Sequence, residues 1–193
     1  MTHPIELTTA AAFEQLRGAS LKQPVKSGEK LGHGLYFSWD TEDGDVSVTL
    51  DSSPGSLFSA RIEIAKSPAW FTLNIALGET GLQDSDVLGL VAEISGDQPA
   101  SLPVFIRSAF PGGGHGDTWL MDQLAVGASP AIRTLLHTAA PGSPLTGDAV
   151  YHTLIMNLPK ESGTLTLRDM GVFVLPNSEL TAGTPVTLAG YAS

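Results

Sequence analysis

The chain has 193 residues, no cysteine, and 10 Lys plus Arg against 20 Asp plus Glu, a formal charge of -10. The missing cysteine excludes disulfides and thiolate chemistry, and the acidity argues against phosphate backbones and anionic bilayers, so no nucleic acid and no membrane is expected as a partner. A chain of this length buries roughly 70% of its unfolded surface and needs no staple.

The first residues, MTHPIELTTAAAFEQLRG, lack a cationic start followed by an apolar run, so they do not form an ordinary secretory signal. No apolar stretch approaches the ~20 residues needed to span a bilayer. Residues 10–17 are the one helix candidate, with Thr9 as N-cap and Gly18 just past the end. Asp43-Gly44 stands between two alternating runs and predicts a two-residue hairpin loop with positive φ at both positions. That register sets Glu42 opposite Asp45, Trp39 opposite Val48 and Phe37 opposite Leu50. Phe37, Trp39, Val46, Val48 and Leu50 then share a buried face, and Tyr36, Ser38 and Asp40 share a wet one.

The alternation recurs down the chain. Ile62 and Ile64 oppose Arg61 and Glu63. Phe71, Leu73, Ile75 and Leu77 oppose Trp70, Thr72, Asn74 and Ala76. Leu88, Leu90, Ala92 and Ile94 oppose Gly89, Val91 and Glu93, and Val104 and Ile106 oppose Phe105 and Arg107. Further strands are expected at residues 118–126, 132–137, 149–158, 163–168, 171–175 and 185–189. The 21 Gly and 13 Pro punctuate these runs throughout. About ten strands with no alternating helices exclude a parallel α/β sheet. They give an all-β fold, a two-sheet antiparallel β-sandwich of jelly-roll type with one short N-terminal helix. The expected organisation is one domain over residues 1–193, with 1–20 as helix or arm and 177–193 as closing strand or tail.

The strand rhythm, carried by residues 87–94, by 102–107 running into Phe110-Pro111-Gly112-Gly113-Gly114-His115-Gly116-Asp117-Thr118-Trp119, and by 163–169, resembles jelly-roll carbohydrate-binding modules and galactose-binding-like domains. It covers roughly residues 30–176 and is a resemblance of architecture. Many such modules end on a strand whose late Asp helps to hold a structural calcium. The resemblance therefore implies Asp169 as a metal ligand and calcium as the cofactor to look for.

Sugar recognition needs flat aromatic faces and planar polar side chains. Trp39 falls on the core face, whereas Trp70 shares the non-core face with Thr72 and Asn74, and Arg107 points away from Val104 and Ile106. Trp119 and Tyr151 could lie on either face. The glycines of residues 112–117 would let a backbone approach a ligand, with His115 and Asp117 adding polar groups; the same glycines could equally serve hairpin geometry. Trp70, Asn74, Arg107, His115, Asp117 and Trp119 are the candidate ligand-binding residues.

A tight metal site from His115, Asp117 and Asp122 would want more histidines than this scatter provides, and the absence of His-x-His speaks against a cupin. The acidic turn Asp40, Glu42, Asp43 and Asp45 is a second place for calcium, or a solvated tip. No nucleophile elbow, phosphate loop, dinucleotide fingerprint or His-Glu-x-x-His helix occurs, and no catalytic residue is assigned. Three functions stay open. The first is a non-catalytic polysaccharide-binding module, which would be extracellular or at a cell surface. The second is a structural or assembly jelly roll that forms oligomers. The third is a polysaccharide lyase or hydrolase, for which Tyr151, His137 and Arg133 are the residues to examine.

Overall fold

Two antiparallel sheets pack face to face in the computed structural model, which describes residues 2–52 and 54–177. The six-stranded sheet runs in the order β1 (Lys22–Val25), β3 (Asp45–Asp51), β4 (Phe58–Lys66), β11 (Gly163–Leu175), β6 (Val87–Gly96) and β9 (Ala131–Thr138). The five-stranded sheet runs β2 (Leu35–Trp39), β5 (Phe71–Gly78), β10 (Tyr151–Asn157), β7 (Ala100–Ala109) and β8 (His115–Val126). Strand alternation aims one side of each sheet at the other, as in an aligned sandwich. Phe37, Leu73, Ile75, Ile106 and Leu154 come inward from one sheet; Leu50, Phe58, Leu90, Ile94 and Leu167 come inward from the other. Phe37 and Phe58 cross the interface edge-on with ring centroids 5.5 Å apart, and Phe37 lies 6.4 Å from Phe71. Trp39 packs edge-on against Phe71 at 6.0 Å, a core position as the alternation predicts. Such pairs contribute about 0.5–1.5 kcal/mol each beyond the area they bury.

The helix is longer than its sequence signals indicate. α1 spans Pro4–Gly18, because Pro4 at the first position fixes φ for the helix and His3 caps it, its Nδ1 accepting from the Ile5 N–H. Thr9, expected as the cap, is buried inside the helix and returns its hydroxyl to the Ile5 carbonyl. Ile5, Ala12, Phe13 and Leu16 form the buried stripe. β11 pairs with β4 only through residues 163–167 but stays on β6 to Leu175. The helix covers the edge that β4 leaves: Glu6 Oε1 accepts from the Val174 N–H, and Arg17 donates to the Met170 carbonyl.

The Asp43-Gly44 hairpin is overturned. β2 and β3 belong to different sheets, so Glu42 does not face Asp45, nor Trp39 Val48. Neither Asp43 nor Gly44 takes a positive φ. Asp40 instead organises the crossing, its carboxylate accepting from the N–H groups of Glu42, Asp43 and Ala69. The assignment of Phe37, Trp39, Val48 and Leu50 to the core nevertheless stands, because both strands turn their apolar sides to the same inter-sheet layer, whereas Asp40, expected on the wet face, is buried at the crossing. Gly44 is required for space: a Cβ there would lie 2.5 Å from Pro68 Cβ and 2.6 Å from the Asp40 carbonyl oxygen. The strands expected at 163–168 and 171–175 are one, β11, with an irregularity between Leu167 and Asp169. β1 carries no alternating signal and was not anticipated. The strand expected at 185–189 lies outside the described residues. Among the described residues no helix is long and apolar enough to cross a membrane.

Two outcomes follow from this packing. Gly44→Ala should cost about 1–3 kcal/mol through overpacking, read as a lowered urea midpoint. Gly112→Ala, where nothing lies within 4 Å of the added carbon, should leave the midpoint unchanged. Burial holds His3, His137 and His152 below the ordinary histidine value of 6.5. The unfolded chain then takes up these protons first, so their contribution is complete above pH 6.5 and is lost as pH falls through the window below it. Melting temperature should drop between neutral pH and about pH 5, and His152→Gln should flatten that slope.

Candidate functional site

Residues opposite the core stripe of β5 look out from the five-stranded sheet, and the strand register lines them up with their neighbours. Tyr36, Asn74, Ile155, Phe105 and Trp119 form one row across all five strands. Ser38, Thr72 and Asn157 form the row on one side; Ala76, Thr153, Arg107 and Asp117 form the row on the other. With strands about 4.8 Å apart, the five-strand row spans roughly 19 Å. An open cleft of about 410 Å³ lies on this face, lined by Tyr36, Trp70, Thr72, Asn74, Arg107 and Asn157 among others. A second cleft of about 560 Å³ shares Tyr36 and Thr153 with it and continues toward Lys30 and Tyr151. The two make one trough that follows the strand direction of β5 and β10.

The trough floor is built rigidly. Asn74 is buried, and its Nδ2 donates to the Thr72 hydroxyl at 3.0 Å and to the Tyr36 carbonyl at 3.4 Å. Arg107 makes a fork to Asp117, Nε to Oδ1 at 2.8 Å and Nη2 to Oδ2 at 2.7 Å. This pairing holds the Asp117 carboxyl below the usual carboxylate range and raises Arg107 further. The guanidinium carbon lies 5.5 Å from the centre of the Phe105 ring. Trp119 packs on Phe105 with centroids 4.6 Å apart and planes tilted by 34°, and is itself 55% exposed. Burial, then the neighbouring Tyr151, raises the Tyr36 phenol above its ordinary value.

Trp70, Asn74 and Arg107 therefore meet in one cleft. Asp117 and Trp119 share the face, Asp117 as the partner of Arg107 and Trp119 as the cover of Phe105, but neither lines the cleft. His115 pairs with Ala109 at the far end of β8 and lines neither cleft. The glycine-rich stretch is the β7–β8 connection: the Phe110 and Gly114 backbones bond across it, and Gly113 and Gly114 supply its positive φ. Arg133 and His137 stand on β9 of the other sheet, so they do not gather with Tyr151.

Asp169 Oδ1 accepts from Arg17 Nε at 2.9 Å and also from its Nη2, so a guanidinium occupies the oxygen a cation would use. Both Asp40 oxygens are taken by backbone N–H groups, chiefly that of Ala69, and these hold its carboxyl below the usual range. Among the described residues no group of three or more His, Asp or Glu side chains is arranged to hold a metal ion.

The sequence reading missed Phe105, Thr153, Ile155 and Asn157 as lining residues. Tyr36 and Ser38 carried a signal, since they alternate with Phe37 and Trp39. The β10 residues carried none, because His152 turns inward and Ile155 outward, which breaks the alternation of polar and apolar residues.

No protein-family model matches this chain, and no curated protein matches it. Solved structures do. A CBM4 module superposes with a TM-score of 0.53 at 14% identity, covering 81% of this chain and 97% of that one. The CBM22-1 xylan-binding domain of Paenibacillus barcinonensis Xyn10C gives 0.50 at 11% identity, covering 82% and 98%. The fold is that of jelly-roll carbohydrate-binding modules. It is shared with a Stig cyclase, Fisc from Fischerella sp. TAU, solved in complex with (3Z)-3-(1-methyl-2-pyrrolidinylidene)-3H-indole. That protein superposes with a TM-score of 0.52 at 14% identity, covering 86% of this chain and 94% of that one. The same scaffold thus hosts more than one activity, and function must be argued from the site.

The Phe105–Trp119 pair should register in a double-mutant cycle. Replacing each by Leu, singly and together, should give a coupling of about 0.5–1.5 kcal/mol in urea unfolding. A coupling of zero would mean that Trp119 does not rest on Phe105 in solution.

Proposed function

We propose that this domain is a non-catalytic carbohydrate-binding module and that a polysaccharide segment lies in the trough of the five-stranded sheet. The observation that carries this reading is the composition of the trough. An exposed Trp70 and a half-buried Tyr36 flank a floor of Asn74, Asn157, Thr72 and Thr153, in a cleft open to solvent. Aromatic faces suit the apolar C–H faces of sugar rings, and fixed amides and hydroxyls suit their hydroxyl groups. Because Asn74 Nδ2 is committed to Thr72 and Tyr36, its carbonyl oxygen is the atom that would accept from a sugar hydroxyl. Preorganisation of this kind lowers the ordering cost of binding. The modules of similar fold support a binding role and leave the ligand to be found.

The test is affinity electrophoresis or calorimetry against a panel of soluble polysaccharides. Trp70→Ala and Tyr36→Ala should each weaken binding at least about tenfold, the range expected for an anchor in a small interface. Trp119→Ala should have a smaller effect, since Trp119 lies outside the cleft. Unchanged affinity in both Trp70→Ala and Tyr36→Ala would remove the trough from consideration.

An assembly role is the second reading, favoured by the other sheet. Ile132 is 70% and Leu136 53% exposed on edge strand β9, beside a half-buried Phe173. An assembly module would run as an oligomer in light scattering, and Ile132→Lys with Leu136→Lys would return it to a monomer.

A further inference from the structure

The charge of the trough runs against the charge of the chain, and this bears on which glycans it would take; the inference rests on the trough being a glycan site. Acidic side chains outnumber Lys and Arg by 20 to 10. Along the two joined clefts the charged lining residues are Lys30 and Arg107, and no carboxylate lines either cleft. Lys30 takes part in none of the ion pairs among the described residues. Arg107 spends two of its N–H donors on Asp117, which stands outside the cleft, and keeps others for a ligand. A third cation stands at the opposite end, where Lys160 Nζ donates to the Ala69 carbonyl beside Trp70.

Charges are screened over about 8 Å at physiological salt. Asp117 pairs with Arg107 at 2.7 Å and offsets its charge, so the unpaired cation lining the trough is Lys30. A neutral glycan would offer Lys30 only hydroxyl oxygens as acceptors. A carboxylate-bearing sugar would gain an ion pair there and a directed pair of N–H bonds at Arg107.

We propose that the trough selects acidic polysaccharide, a chain bearing uronic carboxylates, with one carboxylate met by Lys30 and another by the free N–H edge of Arg107. The hydroxyls and ring faces of the same chain use Asn74, Asn157, Trp70 and Tyr36 in the same way as for any glycan. Selectivity for acid therefore lies at the Lys30 end and in Arg107, while general sugar affinity lies around Trp70.

The experiment compares polygalacturonate, its fully methyl-esterified form, and a neutral xylan and β-glucan, by calorimetry at low and physiological salt. The unesterified chain should bind best, with affinity falling as salt rises. Lys30→Glu should lower that affinity by about tenfold or more, the size of one charge-assisted contact. The same variant should lose more affinity for the unesterified chain than for xylan or β-glucan, so that the acidic-to-neutral affinity ratio falls, and circular dichroism should show it folded. Equal binding of the esterified and unesterified chains, or an unaffected Lys30→Glu, overturns the acidic selectivity while the trough reading survives through its loss in Trp70→Ala. Binding of neutral glycans alone has the same meaning. Binding of none of the four overturns the trough reading and this inference with it.

Discussion

The structure depends on one layer of contact, the aromatic and aliphatic seam between the two sheets. Phe37 of β2 meets Phe58 of β4 edge-on at 5.5 Å, and Phe71 and Trp39 extend the cluster along the five-stranded sheet. Because side chains alternate with a period of two, fixing Phe71, Leu73 and Ile75 in this seam forces Trp70, Thr72 and Asn74 to the opposite side. A slip of one residue in β5 would bury the trough floor and expose the core. The polar outer face of this sheet is thus the obligatory complement of the hydrophobic core.

The same seam explains how an acidic, cysteine-free chain holds its site rigidly. The polar floor is built from strands whose backbones are already committed to the sheet, so its side chains need little further ordering. Asn74 is tied to Thr72 and Tyr36, and Arg107 is tied to Asp117 and laid against Phe105. The helix contributes at a distance by covering the half of β11 that β4 leaves unpaired, through Glu6 and Arg17. Without it, the middle of the six-stranded sheet would present an open edge.

Much of the fold was legible in the residues, and for a definite reason. Where one side of a strand is buried and the other wet, alternation reports the face directly; β3, β6 and β7 and the outward position of Trp70 were read this way. The reading failed where local chemistry was ambiguous. Asp43-Gly44 has the residues of a tight hairpin, yet it serves a crossing between sheets in which Asp40 collects three backbone N–H groups and Gly44 makes room for Pro68. Thr9 has the chemistry of a cap, yet Pro4 and His3 start the helix earlier.

What the sequence by itself determined was the class of fold and the side of the strands whose residues alternate, such as β5, β6 and β7, because period-two alternation is a local property that survives any pairing. Trp39 belongs to the core as expected, although the hairpin register that placed it there does not form. What only the tertiary structure decided was which strands are neighbours, since hydrogen-bonded pairing joins residues far apart in the chain. That pairing brought Tyr36, Asn74, Ile155, Phe105 and Trp119 into one row, set Asp117 on Arg107, and left His115 at the end of its strand, lining neither cleft. It also turned Asp169 toward Arg17, a partner 152 positions away that no local pattern could indicate.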